Sequence, residues 1–340
     1  MTHLKPCLVI GSGFHRWVLG KSSTPLTDWH TLIDETASKM RVAVPSRLMP
    51  PLLRWEKLIQ LATKEGYLYG SGQTWVEENQ NQPFKVESDA KKVVCAILDE
   101  KMGEYPSRSV RSKFPLNETW GSVISLNFDH CWMGALGFGF SEPDKPDNYK
   151  AMSHSEFSRL HLRMFPLNKP DSRIWFPNGV TKKPVTIRMG LHDYGAKPQS
   201  IKQVFRKLKA FERTTYKKSG GNDWFKYREE LEAAMNSDAL PVATWVSDFL
   251  YRPLYFAGVG LSEAETGLWW LLVQRSRNFS RLDIKSVPPT VALVDAKAEN
   301  RAFWESRPCD VEPIFCDNWD IGWDVIVGRA KDQVIDGGIF

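Results

Sequence analysis

A chain of 340 residues, 42% hydrophobic and 25% charged, has ordinary globular composition, and its length suits one large α/β domain with insertions or two domains. The net charge of +5 is too small to argue for nucleic acid by itself. Five scattered cysteines (Cys7, Cys95, Cys131, Cys309, Cys316) with no CxxC pair argue against a disulfide frame or zinc ribbon and fit a reducing compartment.

Cys7-Leu8-Val9-Ile10 reads as a buried parallel strand. No signal peptide precedes it and no apolar run reaches membrane-spanning length, so a cytoplasmic protein with no membrane partner is expected. Gly11-Ser12-Gly13-Phe14 follows the strand at once, and two glycines there permit a tight turn and close backbone approach to a phosphate. Arg16 stands where the third glycine of a dinucleotide fingerprint would be, so a plain β-to-α turn is the competing reading. Asp28 fits as N-cap of a helix through Trp29, Leu32, Ile33 and Ala37. Residues 52–64 and 88–101 carry helical apolar spacing around a polar loop, 66–83. Residues 44–118 therefore read as a mainly helical insertion ahead of the next strand, within one domain covering 1–340.

That strand, Val123-Ile124, leads into Ser125-Leu126-Asn127-Phe128-Asp129-His130. Residues i and i+2 of an extended chain face the same way, so Asn127 and Asp129 are expected to point together into a cleft at the strand's carboxyl end. Turn chemistry, which favours both residue types, is the alternative. Residues 138–170 show little periodicity, and His154, His161 and Asp144 lack metal-ligand spacing. Residues 173–179 read as a strand and turn, and 185–190 as a further strand closed by Leu191-His192-Asp193-Tyr194-Gly195. Ile201, Val204, Phe205, Leu208 and Phe211 share one helix face. Lys202, Arg206, Lys207, Lys209 and Arg213 fill the other, a solvated face or one for anionic ligands or RNA. A second helix is expected over 224–235.

Leu254–Ala257 is another apolar strand, ending in Gly258-Val259-Gly260-Leu261-Ser262. Ser262 is expected to cap a helix over 263–275, with Glu265 at the capping-box position. Strands at 290–294 and 311–315 and a helix over 319–327 complete the chain. Strand-to-turn units joined by helices favour a parallel α/β sheet.

At these residues the chain resembles the sirtuin-like (SIR2-like) superfamily, specifically its bacterial NAD-hydrolysing branch. The resemblance lies in four ordered parts spanning about residues 7–280: the Gly11-Ser12-Gly13-Phe14 turn; Leu126-Asn127-Phe128-Asp129; Trp175-Phe176-Pro177-Asn178-Gly179 running on to Tyr194-Gly195; and Phe256-Ala257-Gly258-Val259-Gly260-Leu261-Ser262 with Glu265, Leu268-Trp269-Trp270 and Arg275. It implies a Rossmann-like parallel sheet flanked by helices, with NAD as substrate. Gly11, Ser12, Gly13, Phe14, Gly258, Gly260, Leu261 and Ser262 would bind the dinucleotide, and Asn127 and Asp129 would orient a ribose hydroxyl or the attacking water. The chain departs from the family in two ways. No cysteine set supplies the zinc module of the deacetylating members, so no zinc is expected. Asn178 stands where the family's HG pair carries its general-base histidine, leaving His192 as a competing candidate.

The resemblance implies cleavage of the nicotinamide–ribose bond to nicotinamide and ADP-ribose, as an NAD-depleting effector of bacterial antiphage defence. Expected partners are NAD or ADP-ribose, a second copy of the chain, and a second defence protein or phage-derived trigger. The alternative is an impaired or inactive module that binds NAD or ADP-ribose, with Asn178 placed by nature or by design.

Overall fold

The computed structural model describes residues 4–20, 24–65, 83–104, 119–129, 132, 149–151, 162–164, 173–181, 183–218, 230, 233–235, 244–261, 265–279, 288–297 and 301–335. Structural statements below concern these residues.

The strands are β1 (Cys7–Ile10), β2 (Ser122–Ser125), β3 (Tyr149–Ala151), β4 (Leu162–Met164), β5 (Arg173–Phe176), β6 (Leu254–Ala257), β7 (Thr290–Asp295) and β8 (Glu312–Cys316). They form one sheet in the order β3-β4-β5-β2-β1-β6-β7-β8. The six strands from β5 to β8 run parallel, while β3 and β4 add an antiparallel edge. Counted along the chain, the parallel six lie in the spatial order 3-2-1-4-5-6, the doubly wound Rossmann arrangement. The strand order reverses between β1 and β6, and ligands of such sheets bind beyond the carboxyl ends at that point.

Alternation along short buried strands builds a core on each face. Cys7 and Val9 pack with Ile124, Trp175 and Phe256 on one face, and Leu8 and Ile10 with Val123, Ile174 and Tyr255 on the other. Helices α5 (Gly190–Lys218), α6 (Trp245–Tyr251) and α7 (Thr266–Phe279) cover the first face. Helices α1 (Ser12–Leu19) and α9 (Trp319–Ile335) cover the second, and the short α8 (Arg301–Glu305) brings Trp304 to the first. Helices α2 (Trp29–Lys39), α3 (Pro51–Lys64) and α4 (Pro83–Glu104) share a third cluster built from Leu32, Ile33, Trp55, Leu58, Val94 and Ile97. Asp28 caps α2 through the backbone N–H groups of His30 and Thr31, as its sequence position predicts.

Four expectations are corrected. Residues 185–189 are not a strand: Pro184–Thr186 is a 3-10 turn and 187–189 are irregular. The edge of β5 that such a strand would need is taken by β4, and Thr186 Oγ1 closes the turn by donating to the Lys183 carbonyl at 2.6 Å. Residues 191–195, expected to close that strand, form the first turns of α5. Within 138–170, β3 and β4 occur where no element was expected, since three residues are too few to show alternation. The helix after β6, expected from residue 263, begins at Thr266: Glu265 is not helical, and its carbonyl accepts from the Leu268 and Trp269 N–H groups. Of the helix expected over 224–235, residues 230 and 233–235 are described and are helical. Most of the 66–83 loop, and His130, Cys131, Asp144, His154, His161 and Ser262, lie outside the described residues.

Candidate functional site

Two loops meet at the switch point. The Gly11 N–H donates to the Ala257 carbonyl at 3.1 Å and the Gly13 N–H to the Gly258 carbonyl at 3.0 Å. A Cβ on Gly258, whose φ is +64°, would lie 1.9 Å from the Phe14 nitrogen, and one on Gly11 would lie 2.5 Å from the Gly258 oxygen. These glycines therefore let the loops after β1 and β6 interlock. The N–H groups of Gly11 and Gly13, expected at a diphosphate, are committed to that joint.

A cavity of about 340 Å³ opens beside the joint. Of the residues expected to bind the dinucleotide, Gly11, Ser12, Gly258, Gly260 and Leu261 line it, whereas Gly13 and Phe14 do not. Phe14 is buried against Trp17 and Trp323. Leu261 holds a left-handed φ of +46°, a backbone state that a leucine keeps only when its surroundings enforce it.

Asn127 and Asn178 both line this cavity. β2 ends at Ser125 and the chain bends, so the alternation that would have paired Asn127 with Asp129 stops. Among the described residues the buried Nδ2 of Asn127 has no hydrogen-bond partner. The Asn178 Nδ2 donates to the Leu126 carbonyl at 2.8 Å, and its backbone carbonyl accepts from the Arg188 N–H at 2.8 Å.

Asp129 does not line the cavity. It is buried beside the equally buried His15, with Oδ1 3.3 Å from Nε2. The Nδ1 of His15 lies 3.2 Å from the Leu26 carbonyl, which only accepts, so Nδ1 carries a proton. Asp129 and His15 thus tie the β2 turn to α1 beneath the cavity wall. His192 is exposed on the first turn of α5 and does not line the cavity either.

Other lining residues had no site role in the sequence reading: Arg16, Trp29, His30 and, although named in the resemblance, Tyr194 and Glu265. Trp29 packs against Phe128 and Tyr194. The His30 Nδ1 lies 2.9 Å from a guanidinium nitrogen of Arg54, which only donates, so Nδ1 accepts and the neutral ring carries its proton on Nε2. Burial, then the charges of Glu265 and Asp193, push the Tyr194 phenol well above its ordinary range. Its hydroxyl therefore stays protonated. Glu265 was readable in the sequence as a helix-start residue, but its place on the cavity depends on where α7 docks.

Neither family models nor curated proteins give a match to this chain. The Rossmann-like sheet agrees with the sirtuin-like resemblance, but many families with other functions share that sheet. Among the described residues no three or more His, Cys, Asp or Glu side chains are grouped to hold a metal ion, and no helix is long and apolar enough to cross a membrane.

Proposed function

We propose that the chain binds NAD in the switch-point cavity and cleaves its nicotinamide–ribose bond, as the sirtuin-like resemblance implies. The strand order supports a nucleotide ligand, and the cavity volume falls within the usual range for ligand sites. The single observation that carries the reading is the side-chain amide of Asn127. Asn127 lines the cavity at the carboxyl end of β2, and an amide side chain can both donate to and accept from a ligand hydroxyl. A ribose hydroxyl, or the water that attacks the ribose, fits that role. Nicotinamide leaves as a neutral molecule from a cationic ring, so the site must orient ribose and water and stabilise an oxocarbenium-like centre. The wider proposal is an NAD-depleting effector of antiphage defence, acting with further copies of itself and a second protein or phage-derived trigger.

Incubation of the purified chain with NAD, with nicotinamide and ADP-ribose measured, tests the reading. Release is expected, and Asn127→Ala should lower it about a hundredfold. A chain that neither releases nicotinamide nor binds ADP-ribose overturns it.

A second reading, a binding module without turnover, draws on Asn178. Its amide cannot titrate, and it is engaged as a latch at the position the resemblance gives to the base. In that case the natural chain binds ADP-ribose without releasing nicotinamide, and release appears only in Asn178→His.

A further inference from the structure

A dinucleotide brings a charged diphosphate, and in sheets of this kind the glycine turn after the first strand ordinarily meets it with backbone N–H groups. Here that turn is committed elsewhere. The Gly11 and Gly13 N–H groups donate to the loop after β6, and the Phe14 N–H donates to the Gly11 carbonyl at 3.1 Å. An anion in the cavity therefore depends on side chains.

Arg16 is the only lysine or arginine in the cavity lining. It stands on α1, at the place where a dinucleotide fingerprint has its third glycine. Its Nε and Nη2 donate to the Thr27 carbonyl at 3.4 and 3.3 Å, and Thr27 lines the same cavity. Among the described residues no carboxylate forms an ion pair with Arg16. The Thr27 carbonyl fixes one edge of the guanidinium without neutralising its charge. The other edge, the N–H groups of Nη1 and Nη2, has the fork geometry that grips two phosphate oxygens at once.

His30 lines the cavity too. Arg54, fully buried, holds it in place by donating to the His30 carbonyl at 3.1 Å as well as to Nδ1. The neutral ring therefore has a donor to offer and no acceptor, which suits an anion. The two carboxylates of the lining are placed apart from this pair. Asp28 turns both oxygens to the start of α2, where they accept from the His30 N–H at 3.3 Å, the Thr31 N–H at 3.0 Å and the Thr31 hydroxyl at 2.6 Å. Glu265 belongs to another segment, before α7, and its charge acts on Tyr194.

We propose that Arg16, seconded by His30, is the diphosphate clamp of this cavity, in place of the glycine-turn amides. The ligand class is a nucleoside diphosphate or its sugar ester. The assignment rests on the nucleotide-binding reading and names the residues that fix its anionic centre.

The test uses the full chain and the variants Arg16→Gln, Arg16→Lys and His30→Ala, with ADP-ribose affinity measured by calorimetry at low and high salt. Arg16→Gln should weaken affinity at least about tenfold, the strength of a charge-assisted hydrogen bond. Arg16→Lys keeps the charge but not the fork and should recover part of that loss. His30→Ala should cost about threefold to tenfold, one ordinary hydrogen bond. Added salt should weaken the natural chain more than Arg16→Gln, a difference that a structural role would not produce. The unliganded thermal midpoint should not move in Arg16→Gln, because the side chain is exposed. Equal ADP-ribose affinity in the natural chain and Arg16→Gln overturns the clamp and leaves the NAD reading standing. So does a loss of affinity matched by a fall of the unliganded midpoint in both Arg16 variants. If ADP-ribose does not bind at all, the NAD reading falls, and sodium pyrophosphate decides the clamp. A rise in thermal midpoint with pyrophosphate that is lost in Arg16→Gln upholds the anion site, and no rise in the natural chain removes it.

Discussion

The Asn178 side-chain amide donates to the Leu126 carbonyl at 2.8 Å and so fastens the turn after β5 to the turn after β2. Asn178 is almost fully buried at this latch, and Gly179 beside it has a φ of +94°, at a position where a Cβ would lie 2.1 Å from the Thr186 oxygen. Removing the amide strands a carbonyl. Asn178→Ala should therefore lower stability by about 1–3 kcal/mol, read as a shift of the urea midpoint. An unchanged midpoint would show that the latch contributes nothing to the fold.

Gly258→Ala should be far more damaging than Gly260→Ala. The first forces a Cβ to 1.9 Å from the Phe14 nitrogen at a left-handed φ, whereas a Cβ on Gly260 meets nothing within 4 Å. Gly258→Ala should cost upwards of about 3 kcal/mol, and Gly260→Ala less than about 0.5 kcal/mol. Equal effects on thermal midpoint would contradict the interlock.

Asn127→Ala should leave the thermal midpoint nearly unchanged, because the missing Nδ2 had no described partner to strand. The expected loss is about 1 kcal/mol or less. ADP-ribose affinity should weaken about tenfold, the worth of one hydrogen bond at the strong end. Intact affinity would remove Asn127 from the ligand site.

Acid should destabilise the fold through Asp248. Burial raises its pKa, but the guanidinium groups of Arg252 and Arg173 outweigh burial and hold it below the ordinary carboxylate value. A lowered folded pKa gives stability that is present above the unfolded pKa and lost as pH falls through the folded one. The thermal midpoint of the natural chain should thus decline as pH drops below about 4. Asp248→Asn should be less stable near neutrality by about 3–5 kcal/mol, since it leaves buried guanidinium groups unpaired. Its midpoint should fall less steeply in acid. Parallel declines in the two proteins would assign the acid sensitivity elsewhere.

The sheet was largely legible because its parallel strands are short, continuous apolar runs ending in glycine or turn residues, as Cys7–Ile10 before Gly11 and Leu254–Ala257 before Gly258 show. Helix α6 was not, because all seven of its residues are buried and no polar face marks a helical period. Residues 185–189 read as a strand because local β propensity cannot show that β4 already occupies the neighbouring edge. At the site, Gly11, Asn127 and Asn178 were found because strand ends announce themselves locally. Asp129 was misaimed because the bend after Ser125 leaves no mark in residue type. The burial of His15 against Asp129, and the approach of Glu265 and Tyr194 to one cavity, depend on packing between segments far apart in sequence.

The joint of Gly11, Gly13 and Gly258 sits on the seam between the two halves of the doubly wound sheet, and the cavity lies over the same seam. A molecule held between Ser12 and Gly260 would span both halves and act as a non-covalent strap across them. The halves would then open to solvent together, so backbone amides near residues 11–14 and 258–261 should exchange hydrogen as one cooperative unit, and slow in step when a ligand is added.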